Sequence, residues 1–417
     1  MRISKACFSH PLKISKACFS HPLKISKACF SHPLKIGIDC RMYGLKHAGI
    51  GRYVMNLVEE LLKQDKENEY VLFINDDESI KTQISSSNFK TVVVEVPHYS
   101  LKEQLLMPGI VAREKVDLMH FPHFNVPVFY QGKYVVTIHD LIKHASKGMT
   151  TTTRSPLLYW LKFLGYKIVF RQAVRRAEKI ITPSQFVKNE VIKEYGVKPG
   201  KVVVTYEGVD DMFKVQSAKC KVTVQSSKLL KKYNIKKPYL LYVGSVYPHK
   251  NIERLIEAVK LLNNKYLTSD ILHITLVIVC ARNVFSERLR NKVVQMEAQE
   301  FVNLAGFVPD EDLAVLYKEA EAFVFPPLLE GFGLPGLEAM SVGCPVLCSN
   351  IPVLREVYGE AALYFDPLNP EEMAKKMVEV IDQKGKRDKM AEKGKRQAEK
   401  YSWSKMAKEI LKVYSSV

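Results

Sequence analysis

The chain has 417 residues, 47% of them apolar, and carries a formal net charge of +18. A chain of this length is too long for a single hydrophobic core, so the length predicts a globular protein of two domains. No run of about 18 uninterrupted apolar residues occurs, which argues against a membrane-spanning helix, and no signal peptide is recognisable at the N-terminus. None of the eight cysteines belongs to a Cys-x-x-Cys pair, so we expect reduced thiols in a cytoplasmic protein rather than disulfides or zinc.

The first 35 residues contain one 11-residue sequence three times, at 3–13, 14–24 and 25–35. The copies are identical and too short to stack as a solenoid, so we expect residues 1–33 to form a poorly ordered appendage. The copies contribute six lysines, about a third of the net charge. The positive charge predicts attraction to anionic partners, which include acidic lipid surfaces, nucleic acid and phosphorylated substrates.

From residue 36 onward, strand-like and helix-like patterns alternate. Helix starts are marked by the capping pair Ser100 and Glu103 and by Ser184, whose helix ends at Gly196. The alternation predicts a parallel doubly wound sheet, in which ligands bind at the carboxyl ends of the strands. The predicted strands of this half are 36–39, 70–74, 91–96, 117–121, 134–138, 179–182 and 202–206.

A lysine- and serine-rich segment, 211–237, interrupts this alternation, which then restarts. We therefore predict an α/β protein of two doubly wound, Rossmann-like domains, residues 34–215 and 216–400, with a cleft between them. The last segment, 401–417, has apolar residues at helical spacing and either crosses back onto the first domain or packs on its own. Asn369 marks a further helix start. The predicted strands of the second domain are 239–243, 276–279, 301–304, 322–325 and 345–348.

One stretch, Glu330 to Glu338, combines three glycines, a proline and two carboxylates eight positions apart. An apolar segment precedes it and a helical pattern follows, so the stretch predicts a strand, a glycine-rich turn and a helix. Pro335 suits the first helical turn, where no amide hydrogen is needed. Backbone amides and the positive end of a helix dipole at such a turn suit an anion such as phosphate. The flanking carboxylates favour hydroxyl groups on either side of it, the layout of a sugar nucleotide; solvated surface glutamates are the alternative.

With these motifs in hand, residues 36–417 resemble glycosyltransferase family 4, whose members are retaining enzymes of the GT-B fold. The most specific likeness is Glu330–Glu338 followed by Ala339-Met340-Ser341-Val342-Gly343-Cys344-Pro345-Val346. Shorter pieces occur in the family's order: Gly49-Ile50-Gly51-Arg52-Tyr53, Thr137-Ile138-His139-Asp140, Thr182-Pro183-Ser184, Glu207-Gly208-Val209-Asp210, Val243-Gly244 with Lys250-Asn251, and Gly306-Phe307-Val308.

The resemblance implies a role for each matching residue. Glu338 would hold the ribose hydroxyls, Glu330 would face the donor sugar, and Lys250 would bind the diphosphate without a metal or other cofactor. His139 would lie near the sugar and the acceptor. The catalytic residues so implied are Glu330, His139 and Lys250. The donor-binding residues so implied are Gly49, Gly51, Gly244, Ser245, Lys250, Gly331, Phe332, Gly333, Leu334 and Glu338.

The chain also departs from the family pattern. Ser245 and His249 stand where many members carry arginine, so Arg52 or His249 is the candidate for a second cation at the diphosphate. Glu207 stands where an asparagine is familiar. On the acceptor side the candidates are His120, His123 and Arg52. The two histidines follow a strand, and we expect them in a loop near the acceptor, with plain packing as the alternative.

The resemblance implies transfer of a sugar from a nucleotide-sugar donor, with a lean towards GDP-mannose and otherwise a UDP-sugar. The acceptor would be a glycan or lipid-linked hydroxyl in cell-surface polysaccharide or glycolipid synthesis. Alternatives are an epimerase or a phosphorylase of the same fold, a non-catalytic sugar-nucleotide binder, and a polyanion binder. A nucleic-acid binder is disfavoured because no nucleic-acid module is recognisable.

Residues 154–179 are strongly basic and carry interleaved aromatic residues. The cations are Arg154, Lys162, Lys167, Arg171, Arg175, Arg176 and Lys179, against one acid, Glu178. The aromatic residues are Tyr159, Trp160, Phe163 and Phe170. Such a stretch suits the anionic surface of a membrane, which predicts peripheral binding at its inner face. An ordinary helix with a solvated basic face is the alternative.

Overall fold

The computed structural model describes residues 33–44, 47–76, 86–145, 156–213, 224–267, 273–281 and 284–417. Residues 1–32, which contain nearly all of the predicted appendage, and the predicted domain boundary near residue 215 lie outside the described residues. Two parallel sheets, with helices between their strands along the chain, make up the described part.

The first sheet is formed by strands from the N-terminal half. These are β1 Lys35–Asp39, β2 Glu69–Ile74, β3 Phe89–Val93, β4 Leu118–Phe121, β5 Tyr134–Thr137, β6 Lys179–Thr182 and β7 Val202–Val204. Among the described residues their order is β3-β2-β1-β4-β5-β6-β7, and every pairing is parallel. The chain reverses its direction across the sheet between β1 and β4, which is where ligands bind in such folds.

The helices of this half precede or follow the strands in the alternating pattern that parallel pairing requires. They are α1 Ala48–Gln64, α2 Leu101–Arg113, α3 Ile142–Ala145, α4 Pro156–Arg176 and α5 Gln185–Tyr195. A short 3-10 turn, Pro199–Lys201, leads into β7.

The second sheet is formed by β8 Tyr239–Val243, β9 Thr275–Val279, β10 Val302–Gly306, β11 Ala322–Phe325, β12 Val346–Ser349 and β13 Ala362–Phe365. Within the described residues its order is β10-β9-β8-β11-β12-β13, again all parallel. Its switch point lies between β8 and β11. The helices are α6 Val224–Lys232, α7 Ile252–Leu261, α8 Val284–Gln295, α9 Asp310–Glu319, α10 Leu334–Val342, α11 Pro352–Tyr358, α12 Pro370–Asp382, α13 Lys384–Ala398 and α14 Trp403–Ser415.

The two doubly wound sheets confirm the predicted fold class. One strand was missed: β13 is only four residues long and lies between a helix and a turn, so its pattern is too short to stand out. The strand predicted at 91–96 begins earlier, at Phe89, because its pairing with β2 starts opposite Tyr70.

The helix caps show how far local pattern is reliable. Ser184 accepts from the amide of Val187, and Asn369 accepts from that of Glu372, as predicted. Ser100 likewise accepts from the amide of Glu103. A capping pair also predicts that the Glu103 carboxylate accepts from the Ser100 amide. That part is wrong, because the Glu103 carboxylate accepts from the Tyr99 amide and from Arg41 instead.

The C-terminal helix α14 packs on the first domain. Its buried face, Met406 and Ile410, belongs to the same hydrophobic cluster as Tyr53 and Leu57 of α1. The hydroxyl of Tyr414 is 2.6 Å from Nδ1 of His120 in β4. The chain therefore returns from the second sheet to the first, so that one polypeptide joins the two domains twice.

We predict that Ile410→Ala lowers the free energy of unfolding of the first domain by about 3 kcal/mol, because it leaves a cavity where a fully buried side chain joins α14 to α1. Urea unfolding followed by circular dichroism measures this loss. Lys408→Ala on the exposed face of the same helix is the control, with an expected change below about 0.5 kcal/mol. Equal stability of the two variants would contradict the packing described here.

Candidate functional site

The glycine-rich turn follows β11 at the switch point of the second sheet. Gly333 has φ +98° and caps the N-terminus of α10. A Cβ built on it would lie 2.6 Å from the Tyr358 hydroxyl oxygen, and that hydroxyl donates to the Gly333 carbonyl. Left-handed backbone and crowding together require glycine here. The turn thereby presents backbone and a helix N-terminus to the cleft, which suits an anionic group.

Lys250 and Glu330 form the central ion pair of this turn. Lys250 ends a short helical turn, Pro248–Lys250, after β8, and Glu330 opens the turn after β11. Lys250 Nζ lies 2.5 Å from Glu330 Oε2, and both side chains are about one-seventh exposed. The second Glu330 oxygen accepts from the Gly331 amide at 3.2 Å. The cation and the carboxylate therefore meet at the cleft and can both turn towards a ligand.

Glu338 lies on α10 beneath the turn and faces a cation from the first domain. Its Oε1 is 3.8 Å from Nε of Arg52, and its Oε2 accepts from the Tyr317 hydroxyl at 3.3 Å. Burial raises the pKa of Glu338, while the charge of Arg52 lowers it and that of Asp310 raises it. Arg52 also binds Asp310 at 2.8 Å. The sequence analysis did not identify Asp310, which carries no motif of its own.

His139 is bound by two acceptors of its own domain. Its Nε2 is 2.9 Å from the Pro122 carbonyl and its Nδ1 is 3.2 Å from a Glu207 oxygen. Burial would lower the pKa of His139, but the hydrogen bond and charge of Glu207 outweigh it, so the pKa is raised. Because both ring nitrogens face acceptors, the geometry favours the imidazolium. The residue that departs from the family pattern, Glu207, is therefore the partner of the predicted histidine.

The backbone of His139 brings the two domains together. A Cβ built on Gly331 would lie 2.1 Å from the His139 carbonyl oxygen and 3.2 Å from Asp140 Cβ. Ser184 of the first domain donates to the Gly331 carbonyl at 2.9 Å. Burial, and then the charge of Glu330, raises the pKa of the neighbouring Asp140, whereas His139 and Lys250 lower it. Asp140 thus belongs to the electrostatic cluster of the turn.

A second junction lies beside the first. The Glu356 carboxylate of α11 accepts from the amides of Gln185 and Phe186 at 2.6 and 2.8 Å. These amides begin α5 of the first domain, so a carboxylate from one domain stabilises the positive end of a helix in the other. No local pattern in the sequence links residues so far apart.

The structure corrects the placement of His120. It lies within β4, not in a loop, and is fully buried. Its ring nitrogens contact the Tyr414 hydroxyl and Thr137 Oγ1, and burial lowers its pKa to about 3. The alternative, plain packing, is therefore right for His120. His123 is half-buried and lines a small cavity together with Asp39, His98, Asn125 and Phe121.

That cavity adjoins a buried charged network which the sequence did not reveal. Arg41 is 1% exposed, forms two hydrogen bonds with Asp39 and lies 2.6 Å from Glu103. The amide of Asn125 donates to the same Glu103 at 2.7 Å. The network ties the loops after β1 and β4, which carry Arg41 and Asn125, to Glu103 on α2, and so holds these loops in place on the first-domain side of the cleft.

The other residues that were predicted for the donor site differ in their surroundings. A Cβ on Gly51 would meet the Gly44 carbonyl oxygen at 2.0 Å, whereas Gly49 has open space beside it. Gly244 has φ +142°, and the Ser245 carbonyl accepts from the Tyr242 hydroxyl. Burial, and then the charge of Lys250, lowers the pKa of His249 to about 4, although the charge of Glu330 opposes them. Of the two candidates for a second cation, the lowered pKa of His249 favours Arg52.

The site can now be compared with known proteins. The family model described as Glycosyltransferase Family 4 matches residues 47–213, and the one described as Glycosyl transferases group 1 matches residues 225–397. O-antigen chain mannosyltransferase B of Escherichia coli is 29% identical over 383 residues, which are 88% of this chain and 96% of that protein. O-antigen chain mannosyltransferase RfbU of Salmonella typhimurium is 31% identical over 58% of this chain and 67% of its own length.

Solved structures share the fold at lower identity. Sucrose-phosphate synthase from Thermosynechococcus elongatus superposes with a TM-score of 0.71 at 18% identity, covering 92% of this chain and 98% of that one. HepE of Anabaena in complex with UDP-glucose gives 0.69 at 17% identity, covering 92% and 100%. Among the described helices, none is long and apolar enough to cross a membrane.

The His139–Glu207 pair makes stability depend on pH. The pKa of His139 is raised above its ordinary 6.5 in the folded chain. Its contribution to stability is therefore complete below pH 6.5 and is lost as the pH rises through the folded pKa. We predict that Glu207→Gln costs about 2 kcal/mol of unfolding free energy near pH 6, and less at higher pH.

Urea unfolding of the wild type and of Glu207→Gln across the pH range measures this difference. Glu399→Gln, an exposed glutamate at the end of α13, is the matched control and should show no such trend. A difference between wild type and Glu207→Gln that grows with pH would contradict a cationic His139.

Proposed function

Because the chain belongs to the group 1 glycosyltransferases of family 4, we propose that it transfers mannose from GDP-mannose to a hydroxyl of a glycan or lipid-linked acceptor, with retention of anomeric configuration. The observation that carries this proposal is the Lys250–Glu330 pair at the glycine-rich turn, with buried Glu338 below it. A sugar nucleotide requires one carboxylate for its sugar hydroxyls, a cation and backbone amides for its diphosphate, and a second carboxylate for its ribose hydroxyls.

The relatives support the choice of sugar. Both curated relatives described above are named as O-antigen chain mannosyltransferases, and the identity to one extends over nearly its whole length. HepE is named with UDP-glucose bound, which makes a UDP-sugar the second candidate donor. The product we propose is therefore a mannosylated cell-surface polysaccharide or its lipid-linked precursor, made at the cytoplasmic face of the membrane.

Donor binding would exchange existing contacts for ligand contacts. In the structure Glu338 faces Arg52, and Glu330 faces Lys250. We assign the ribose hydroxyls to Glu338 and the sugar hydroxyls to Glu330. Lys250 then turns to the diphosphate, and Arg52 supplies the second positive charge from the first domain. The carboxylates need no metal to hold hydroxyls, so we propose that the reaction is metal-independent.

Chemistry at this site would depend on charge. The bond between the anomeric carbon and the diphosphate oxygen breaks, and a bond to the acceptor oxygen forms on the same face of the sugar. The acceptor proton passes to the leaving diphosphate. Negative charge therefore builds up on the diphosphate, where Lys250, once turned from Glu330, and the amides at the start of α10 would stabilise it. His139, held by Glu207, lies beside the turn.

The donor is tested by incubating the protein with GDP-mannose, UDP-glucose or UDP-N-acetylglucosamine and a bacterial lipid extract as acceptor source. We expect release of GDP from GDP-mannose, undiminished by EDTA. Release of UDP alone would overturn the choice of mannose. A full loss of activity in EDTA, restored by added magnesium, would overturn the metal-independent reaction.

We predict that Lys250→Ala lowers kcat by about 10²- to 10³-fold, since it removes a charge aimed at the leaving group. Steady-state kinetics with the donor identified in the screen measures the loss. Lys384→Ala at the exposed start of α13 is the control for the loss of one lysine and should keep wild-type kinetics. A Lys250→Ala variant with unchanged kcat would refute the assignment.

A further inference from the structure

A large cavity lies in the second domain between α7 and α8, beside the loop that follows β8. Its volume is about 570 Å³, within the range of about 300–1,000 Å³ that small-molecule pockets occupy. Of the described residues that line it, none belongs to the donor site predicted from the sequence. We call this cavity the α7–α8 pocket, and its lining makes it a second candidate ligand site.

Part of the lining of the α7–α8 pocket is apolar and aromatic. Val246, Ile252 and Leu289 are buried and contribute aliphatic surface. Tyr247 and Phe285 meet edge to face, with ring centroids 4.6 Å apart and planes at 65°, and Tyr247 is 40% exposed. An exposed aromatic ring beside aliphatic surface suits a ligand that contains a ring, such as the C–H face of a sugar.

Positive charge predominates among the polar residues of the pocket. Three cations line it, Arg254, Arg288 and Lys292, against one acid, Glu253. Arg288 lies over the Phe285 ring, with Cζ 5.3 Å from the ring centroid, and Lys292 Nζ is 3.3 Å from a Glu253 oxygen. The excess of positive charge favours an anionic ligand, and the planar guanidinium groups match the geometry of phosphate.

Arg254 is held in place by the surrounding protein. Its Nη1 donates to Asn251 Oδ1 at 2.9 Å, and Asn251 is only 5% exposed. The Asn251 amide nitrogen donates in turn to the carbonyls of Pro326 and Pro367, at 3.1 and 2.7 Å. A guanidinium has five N–H donors, of which the bond to Asn251 uses one. Because these bonds fix Arg254 in advance, it would lose little conformational freedom on binding an anion.

We propose that the α7–α8 pocket binds a phosphorylated saccharide, with its phosphate at the cations and a sugar ring against Tyr247 and Phe285. The exposed amides of Asn291 and Gln295 also line the pocket and suit sugar hydroxyls, since an amide group both donates and accepts. An uncharged sugar would leave the cations without a partner in the ligand, and inorganic phosphate would leave the aromatic rings without one.

The α7–α8 pocket shares one short turn with the donor site. Tyr247 directly precedes the turn Pro248–Lys250, and its carbonyl accepts from the Lys250 amide at 2.8 Å. The Tyr247 ring also stacks on the His249 ring, with centroids 5.9 Å apart. An anion held against Tyr247 therefore lies close to the backbone that carries Lys250, so we expect it to weaken GDP binding about 3-fold by repulsion between the two anions. This step rests on the proposed function, whereas binding in the pocket does not.

Saturation-transfer NMR and calorimetry with mannose 6-phosphate test the pocket, without nucleotide and with saturating GDP and UDP. We expect a dissociation constant of about 1 mM or tighter. Nucleotide should raise this constant by about 3-fold only, since the coupling between two sites is reciprocal. Mannose and inorganic phosphate should each bind at least about 10-fold more weakly than mannose 6-phosphate, because each offers only some of the groups that the pocket recognises.

Arg288→Gln should weaken the binding of mannose 6-phosphate about 10-fold, through loss of a charged donor to the phosphate. Arg290→Gln is the matched control on the same helix. The Arg290 side chain is 63% exposed and is not among the described residues that line the pocket, so binding should stay within about 2-fold of wild type. Tyr247→Ala should weaken mannose 6-phosphate about 5-fold but inorganic phosphate by less than about 2-fold.

Circular dichroism and thermal unfolding confirm that each variant is folded. Wild type that binds no mannose 6-phosphate overturns the proposal, as does binding that nucleotide abolishes, which would place the ligand in the donor site. Equal binding by wild type and Arg288→Gln overturns the assignment to this pocket. A GDP affinity that mannose 6-phosphate leaves unchanged overturns the coupling through the turn. Binding of mannose 6-phosphate by a protein that binds neither GDP nor UDP would support the pocket and contradict the proposed function.

Discussion

The site depends on one close approach, the bare backbone of Gly331 against the carbonyl of His139. The space there admits no Cβ, since one would lie 2.1 Å from the His139 oxygen. Ser184 holds the same glycine through its carbonyl, and Glu356 caps α5 next to it. Because residues from both sheets meet at this point, the turn that carries Glu330 is set in register with the first domain.

The charged side chains of the site are arranged in pairs, whose contacts a bound donor would exchange for its own. Lys250 is matched by Glu330, and Arg52 by Asp310 and Glu338. Buried charges are costly without such partners, so the pairs keep both domains stable while no donor is bound. The same side chains offer the cations and hydroxyl acceptors that a sugar nucleotide would need. His139 and Glu207 form a third pair, in which the hydrogen bond and charge of Glu207 raise the pKa of the histidine against the effect of burial.

The two sheets and the glycine-rich turn could be predicted because they depend on local pattern. Alternating strands and helices repeat along the chain, and Gly333 needs its left-handed backbone whatever lies opposite. The pairing of His139 with Glu207 and the contact of Asp310 with Arg52 could not be predicted, because each joins residues that are distant in sequence. His120 shows the limit most clearly: a histidine at the end of an apolar strand looks like a ligand-facing residue, yet Tyr414 and Thr137 bury it.

The most direct measurement compares nucleotide binding with sugar transfer in Gly331→Ala. If the Gly331–His139 contact sets the two domains in register, an added methyl group pushes them apart but leaves the second domain folded. We predict that Gly331→Ala binds GDP, as measured by calorimetry, within about 10-fold of the wild-type affinity. We predict that its sugar transfer is at least about 100-fold slower, because a small misplacement of the reacting groups is enough for such a loss. Transfer at the wild-type rate by Gly331→Ala would contradict the claim that this contact assembles the site.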